Sequence, residues 1–501
     1  MAGKRAVVIG AGLGGLSAAA YLAKNGFRVD LFERHNTPGG YATSFVRNGY
    51  EFEASLHELS GIGPVHNRGP CHRLLAGCDV AHRVEFLPVN NFYTSLFPRF
   101  KATVPLGWEA AEEAYCKQFP KERKGIRRLM TFMHSAFDEM KILMRKMGPL
   151  DIVTLPVRAS HVIRSAGLTT SQAIDREISD PGLKAFFCNV WGYYGLPPSL
   201  LSFSLFLSGN ASYFEYGPYH VKGTSQALSN AFVAAIEDNG GTVHLRNGIR
   251  KITVSGNRVS GVTTDGGDSC PADYIVSNAN PIHCCYELIG RENVPPGYLK
   301  SLARGHIGIS TFNVYMGLDC PAENLGLTEH ELFINDDYDL DEHYRTMFRI
   351  EKQKYWVLTN YNASDPEFSP PGTSVVVITA LQDYGSWSRV PPERYADTKN
   401  RMAEVMIDAA DKVAPGLKDH IAVLEIATPI TNMRYSNNPG GSIIGFDFDV
   451  TASPIFRLGN RGPLGGLYFA NAWVRIGGGY EPCITSGYLA SIEVMKDAQE
   501  K

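Results

Sequence analysis

The sequence predicts an α/β fold built on a Rossmann-like dinucleotide-binding domain, and three stretches carry that prediction. Residues 5–33 run in the order strand, glycine turn, helix, strand, acid. Residues 219–281 read as a helix followed by short strands joined by tight turns, and residues 465–495 as a strand, a second glycine turn and a closing helix.

In the first stretch an apolar strand, Arg5 to Ile9, runs into Gly10-x-Gly12-x-Gly14-Gly15 and a small-residue helix from Ser17 to Lys24. Gly10 allows a tight turn, Gly12 lets backbone N–H groups approach a pyrophosphate, and Gly15 lets the helix lie close on the strand. The helix N-terminus supplies partial positive charge for the anion. A second strand, Arg28 to Phe32, ends in Glu33, placed about 20 residues past the glycines to accept the hydroxyls of an adenosine ribose. A second glycine pair follows in Glu33-Arg34-x-x-x-x-Gly39-Gly40, at the mouth of the same unit. It gives backbone access to a larger cofactor than NAD. This pattern resembles the FAD-binding segment of the amine oxidase and phytoene desaturase superfamily. FAD is the expected cofactor, with Gly10, Gly12, Gly14, Gly15, Glu33, Arg34, Gly39 and Gly40 in its site.

Length and composition suit an enzyme of this kind. At 501 residues two lobes are expected, and 44% hydrophobic residues can bury sizeable cores. A net charge of -3 gives no electrostatic case for nucleic acid. MAGKRAVVIG passes straight into a core strand, which reads as cytoplasmic, with no room for a signal peptide. No apolar run is expected to reach the ~18–20 residues that span a bilayer, Leu200 to Leu207 being the nearest candidate and too short. Nine scattered cysteines read as reduced thiols. Neither Cys71-His72 with Cys78 nor His283-Cys284-Cys285 has paired zinc spacing, so no metal is expected.

The second stretch places a helix from Ser225 to Asp238, capped by Gly240-Gly241, on a small meander of Thr242–Leu245, Ile249–Val254 and Val259–Thr264. The strand Tyr274–Ser277 and then Asn278-Ala-Asn-Pro281 return the chain to the dinucleotide sheet. The third places Leu467–Ala470 before Gly477–Gly479 and a helix from about Pro482 to Met495, whose N-terminus again points N–H groups at an electron-rich partner. The three stretches together, with Lys222-Gly223-Thr224 and Trp191-Gly-Tyr-Tyr-Gly-Leu-Pro-Pro-Ser199, resemble the phytoene desaturase, carotenoid isomerase and retinol saturase family over essentially the whole chain.

That resemblance implies a discontinuous FAD-binding domain at 1–75, 218–295 and 440–501. An α+β substrate domain with a mixed sheet and a helical cap would be inserted at 76–217 and 296–439. It also implies that the backbone of Ile249 meets the adenine, that Asn471 lies near the diphosphate and ribityl chain, and that Gly478, Gly479 and Cys483 lie beside the flavin. The chain departs from the family pattern at Thr224, where a glycine is usual, and at Pro482, which has no N–H. Glu481 stands where the family is apolar or small. Glu53 replaces an aspartate, and His57 and Glu58 are similar to the saturase and isomerase branches.

There is no nucleophile elbow. Acid/base candidates are therefore the groups expected near the flavin: Glu481, Tyr480, His57 and Glu58. Glu481 also reads as a rim carboxylate paired with Arg475, and His57 as a packed histidine. Met130, Met133, Phe137, Met140, Met144 and Met147 form one stripe on a helix near 123–147, flanked by Arg127, Arg128, Lys141, Arg145 and Lys146. The stripe reads as a core face, as a pliable lid over an apolar tunnel, or as a contact with an anionic membrane surface. The resemblance implies redox or isomerisation chemistry on C–C or C=C bonds of a carotenoid, retinoid or other polyene lipid. Rival readings are a fatty-acid double-bond isomerase, an amine oxidase using Tyr480 and Trp473 as an aromatic cage, or a prenyl-protein chaperone of the GDP-dissociation-inhibitor type.

Overall fold

The strand Arg5–Ile9 lies at the centre of a five-stranded parallel sheet. Tyr274–Ser277 and then Leu467–Phe469 flank it on one side, Arg28–Phe32 and then Thr242–His244 on the other. The computed structural model describes residues 3–143, 158–450 and 457–500. Both faces of this sheet are covered, which is why its central strand is apolar throughout. Ala6 and Val8 point into a cluster with the helices Leu13–Lys24, Thr224–Asp238 and Tyr480–Gln499. Val7 and Ile9 point to the opposite face, against Ile252, Val259 and Val262.

Two helices begin earlier than the sequence predicts. The first starts at Leu13 rather than Ser17, and the last at Tyr480 rather than near Pro482. In the first helix Gly14 and Gly15, which look like helix breakers, sit inside the first turn because close packing demands them, as it demands Gly487 further along the last helix. A β-carbon on Gly15 would overlap the Gly10 carbonyl, one on Gly14 the Ala470 carbonyl, and one on Gly487 the Gly14 carbonyl. The two helices are also pinned by Ser17 Oγ, which donates to Ile484 O at 2.8 Å.

The meander differs from the predicted one. Thr242–His244 is not part of it but pairs in parallel with Asp30–Phe32, and the third antiparallel strand is Ser269–Pro271. The open edge of Arg28–Phe32 needs a partner for its backbone groups. Arg246, in the left-handed region at φ 54, turns the chain so that Arg246 and Asn247 donate to the carbonyls of His35 and Glu33.

A seven-stranded mixed sheet forms the second lobe. Its order is Ile421–Ala427, Ser310–Leu318, Ser374–Gln382, Tyr355–Asn360, Glu331–Asn335, Tyr93–Phe97 and Phe100–Val104. All neighbours are antiparallel except Glu331–Asn335 with Tyr93–Phe97. Helix Tyr395–Val413 covers one face through Met402 and Met406. The other face carries a helical cap that includes Arg123–Leu143, Pro181–Phe187 and Phe203–Tyr216.

The methionine stripe divides along the cap helix Arg123–Leu143. Met130 and Met133 are buried in the cap core, whereas Met140 is half-buried and faces a cavity. Met144, Arg145, Lys146 and Met147 lie outside the described residues. Among the described residues the flanking cations have carboxylate partners: Arg127 with Glu112, Arg128 with Glu177, and Lys141 with Asp138 and Glu215. Among the described residues no helix is long and apolar enough to cross a membrane.

Candidate active site: a cofactor cleft continuous with an apolar chamber

One cavity of about 2520 Å³ runs from the first glycine turn, between the two lobes, to the helical cap. Ligand pockets usually hold about 300–1,000 Å³. This one has room for a dinucleotide and a long second molecule together.

At the dinucleotide end the wall includes Gly10, Gly12, Glu33, Arg34, Gly39, Gly40 and Ile249. Gly39 N donates to Ala11 O at 2.7 Å, so the second glycine pair is tied directly to the first turn. Gly39 (φ 124) and Gly40 (φ 62) both take conformations that favour glycine. Glu33 is buried and accepts from Ala11 N and His35 N, each at 2.8 Å, one bond per oxygen. Each oxygen keeps a lone pair for a ribose hydroxyl. The helix Leu13–Lys24 has no acid in its first turn, so its N-terminal dipole is free for a diphosphate. These residues fit the FAD that the sequence predicts.

Four of the predicted site residues also make contacts within the fold. Gly14 and Gly15 are not on the cavity wall; as the fold requires, they set helix packing. Arg34 lines the cavity but spends its guanidinium on the carbonyls of Arg434 and Tyr435, at the C-terminal end of helix Pro429–Ser436. Asn471 also lines the cavity, yet its amide is used internally: Nδ2 donates to Ala279 O at 2.9 Å and Oδ1 accepts from Trp473 N at 3.0 Å. Asn278, which sequence reasoning passed over, ties the glycine turn to the last strand. Its Oδ1 accepts from Gly12 N at 3.1 Å and its Nδ2 donates to Ala470 O at 2.6 Å.

Midway along the cavity are Gly478, Gly479, Tyr480, Glu481 and Cys483, delivered by the start of the last helix. Burial pushes the Cys483 thiol up to about 12. The Tyr480 hydroxyl donates to Tyr41 O at 3.1 Å and meets Ser225 Oγ at 2.9 Å and Ser55 Oγ at 3.2 Å. It therefore staples the second glycine loop to two neighbouring segments. Glu481 takes Ser60 Oγ (2.6 Å) and Ser212 Oγ (3.4 Å) onto Oε2, in place of Arg475. Burial raises its carboxyl, with the two serine hydroxyls acting in the opposite sense. Trp473 is buried edge-on to Phe446 and its indole N–H points at Asn438 Oδ1, 3.3 Å away.

Where the lobes meet, His57 faces the mixed sheet. Its Nδ1 lies 2.7 Å from Glu331 Oε1 and 3.0 Å from Thr359 Oγ1, and its Nε2 lies 3.3 Å from Thr379 Oγ1. Glu331 is buried, and its other oxygen accepts from the Tyr193 hydroxyl. Neither carboxyl oxygen of Glu58, next in the chain, has a hydrogen-bond partner. Its carboxyl is raised well above the usual range by burial and then by the charge of Glu331. Glu331 was legible only as an acid in an otherwise apolar strand, ELFIN, where a charge needs a reason.

Beyond these groups the chamber is lined by Phe137, Met140, Leu143, Leu205 and Tyr216. Cys71 and Cys78 are buried in the helix-side core of the first lobe. A different trio, Asp319, Cys320 and His420, brings its ligand atoms within 4.8 Å of one another at the end of the mixed sheet, with Asp319 and His420 in contact at 2.8 Å.

A parallel dinucleotide sheet, a second lobe and a shared cavity define a two-lobed oxidoreductase. The chain belongs to the flavin-containing amine oxidoreductase family, whose model matches residues 13–495. Its cofactor is FAD and it is an enzyme. It is similar to all-trans-retinol 13,14-reductase of Danio rerio, with 26% identity across 89% of this chain and 78% of the relative. It is equally similar, at 26%, to the lycopene-forming phytoene desaturase of Pseudescherichia vulneris, across 99% of this chain and 100% of that one. In fold it matches an oxidoreductase from Methanosarcina mazei with a TM-score of 0.66 and 19% identity, over 98% and 100% of the two chains.

Proposed function

We propose that this enzyme acts on C–C or C=C bonds of a long hydrophobic molecule, a polyene or isoprenoid lipid, in a saturation, desaturation or isomerisation. The observation that carries this reading is the single cavity of about 2520 Å³, continuous from the dinucleotide cleft to a chamber walled by Phe137, Met140, Leu143 and Leu205. The relatives named for retinol and phytoene support the same substrate class. Bound FAD supplies acceptance or return of a hydride.

The chain's own part is to exclude water, hold the substrate and move a proton. Two groups on the wall suit proton exchange: Glu481, carried by the last helix, and His57, held against the mixed sheet. One station to take a proton and one to return it allow a double bond to move as well as to form or vanish. The Tyr480 hydroxyl is committed to Tyr41, Ser55 and Ser225, so it holds the loop rather than the substrate.

The test is anaerobic incubation of the purified yellow protein with all-trans-retinol, phytoene, an unsaturated fatty acid and putrescine, each in turn. From the oxidised protein a polyene should give a desaturated product with bleaching of the flavin band, or an isomerised product without net bleaching; after dithionite has reduced the flavin it should give a saturated product with return of the band. Oxidation of putrescine with all polyenes untouched would overturn the reading.

A further inference from the structure

His57 is held by a carboxylate that does not itself line the cavity. Glu331, on the strand Glu331–Asn335, approaches Nδ1 at 2.7 Å and takes the Tyr193 hydroxyl on its other oxygen. An ionised carboxylate only accepts, so in the neutral ring the proton must sit on Nδ1. Nε2 is then the bare nitrogen. It lies on the side of Thr379, a residue of the cavity wall.

We propose that Glu331 is the positioning residue of His57: it fixes the tautomer and ring angle that present Nε2 to the substrate, and it balances the charge when Nε2 takes a proton. The logic is that of a buried carboxylate orienting a histidine base. The step balances simply. A substrate C–H bond gives its proton to Nε2 and the ring goes from neutral to cationic. The hydride lost from the neighbouring carbon would be accepted by FAD when it is bound. In the reverse direction Nε2 returns the proton.

The surroundings leave Glu331 as the acid that meets the ring. Glu58 lies next to His57, is buried with both oxygens unpartnered, and is driven toward its neutral form by burial and by Glu331 itself. Tyr193, from the cap side, gives its proton to the hydrogen bond with Glu331, and burial with that nearby charge raises its own hydroxyl. Thr359 and Thr379 face the ring from the two neighbouring strands and carry no charge. His330 contacts the His57 carbonyl through Nε2 at 2.9 Å, and burial lowers its pKa, so it adds no cation. Glu331 is therefore the carboxylate in hydrogen-bond contact with the imidazole.

This inference rests on the reading of His57 as a proton-exchanging group, and the experiment separates the two. Holoenzyme labelled with ¹⁵N-histidine, with the His57 signals assigned by comparison with His57→Gln, reports which ring nitrogen carries the proton at a pH where the ring is neutral. The parent should show Nδ1–H. Glu331→Gln, whose amide can donate as well as accept, should mix or reverse the tautomers and lower kcat about tenfold or more, with KM nearly unchanged. Glu331→Asp should keep Nδ1–H and recover part of kcat. An Nε2–H parent, or Nδ1–H unchanged in Glu331→Gln, would overturn the positioning role. Should the tautomer shift as expected while His57→Gln turns over at the parental rate, the ring is positioned for something other than proton transfer, and it is the reading of His57 that fails.

Discussion

Replacing Met133 and Met140 separately with Gln asks what the cap helix is for. Met133 is fully buried in the cap core, among Met130, Ala136 and Phe137. Burying a methionine is worth about 1.5–3 kcal/mol, and an unpartnered amide in its place costs a further ~1–3 kcal/mol. Met133→Gln should therefore lose roughly 3–5 kcal/mol and melt several degrees lower. Met140 is half-buried on the cavity wall, where a Gln amide meets water, so its stability change should stay within about 1 kcal/mol. The polar group on the wall should instead raise KM for a polyene. Thermal midpoints of the FAD-loaded variants, with KM measured alongside, decide it. Equal loss of stability in both variants would refute the division of the helix into a core half and a chamber half. So would a raised KM with a parental melting temperature in Met133→Gln.

The remaining predictions concern the cofactor, the wall and the backbone. Glu33→Ala and Gly12→Val should each yield protein without stoichiometric FAD after gel filtration, read from the visible flavin band. Glu481→Gln should keep FAD and slow turnover by about 10²–10⁴-fold. Because burial raises its carboxyl and the base form is the carboxylate, parental activity should climb as pH rises through the raised value, and the Gln variant should lose that limb. Burial raises Glu53 to about 7, so the folded protein holds a proton there that the unfolded chain releases near the usual 4.5. Its contribution is full below the unfolded value and is lost as pH rises to about 7, a change of roughly 3 kcal/mol that Glu53→Gln should abolish in denaturation series across pH. Thr224 sits at φ 66, which costs a β-branched residue about 1–2 kcal/mol. Its Oγ1 hydrogen bonds with Glu51 and Gln226 return part of that. Thr224→Gly should leave the melting temperature the same or slightly higher, and a drop of several degrees would show that the hydroxyl contacts dominate.

The sequence by itself determined the dinucleotide half of this protein. A strand, a glycine turn, a small-residue helix and a terminal acid are contiguous, and each acts through backbone geometry or a local dipole, so residues 5–40 can be read without knowing what packs on them. The same locality explains why the strands at 274–277 and near 467 were legible. What the sequence did not hold was anything made by residues far apart. Thr242–His244 joined the parallel sheet because an open edge needed a partner, a fact about residues 28–32 rather than its own. Met133 and Met140 share one stripe but different fates, since only the packed cap shows where the core stops and the chamber starts. Glu481 found Ser60 and Ser212 rather than Arg475, and His57 found Glu331, 274 positions along the chain. Periodicity reports which face of an element is apolar. Which charged or polar group meets which is settled by two lobes closing on one another, and for this active site only the tertiary structure supplies that.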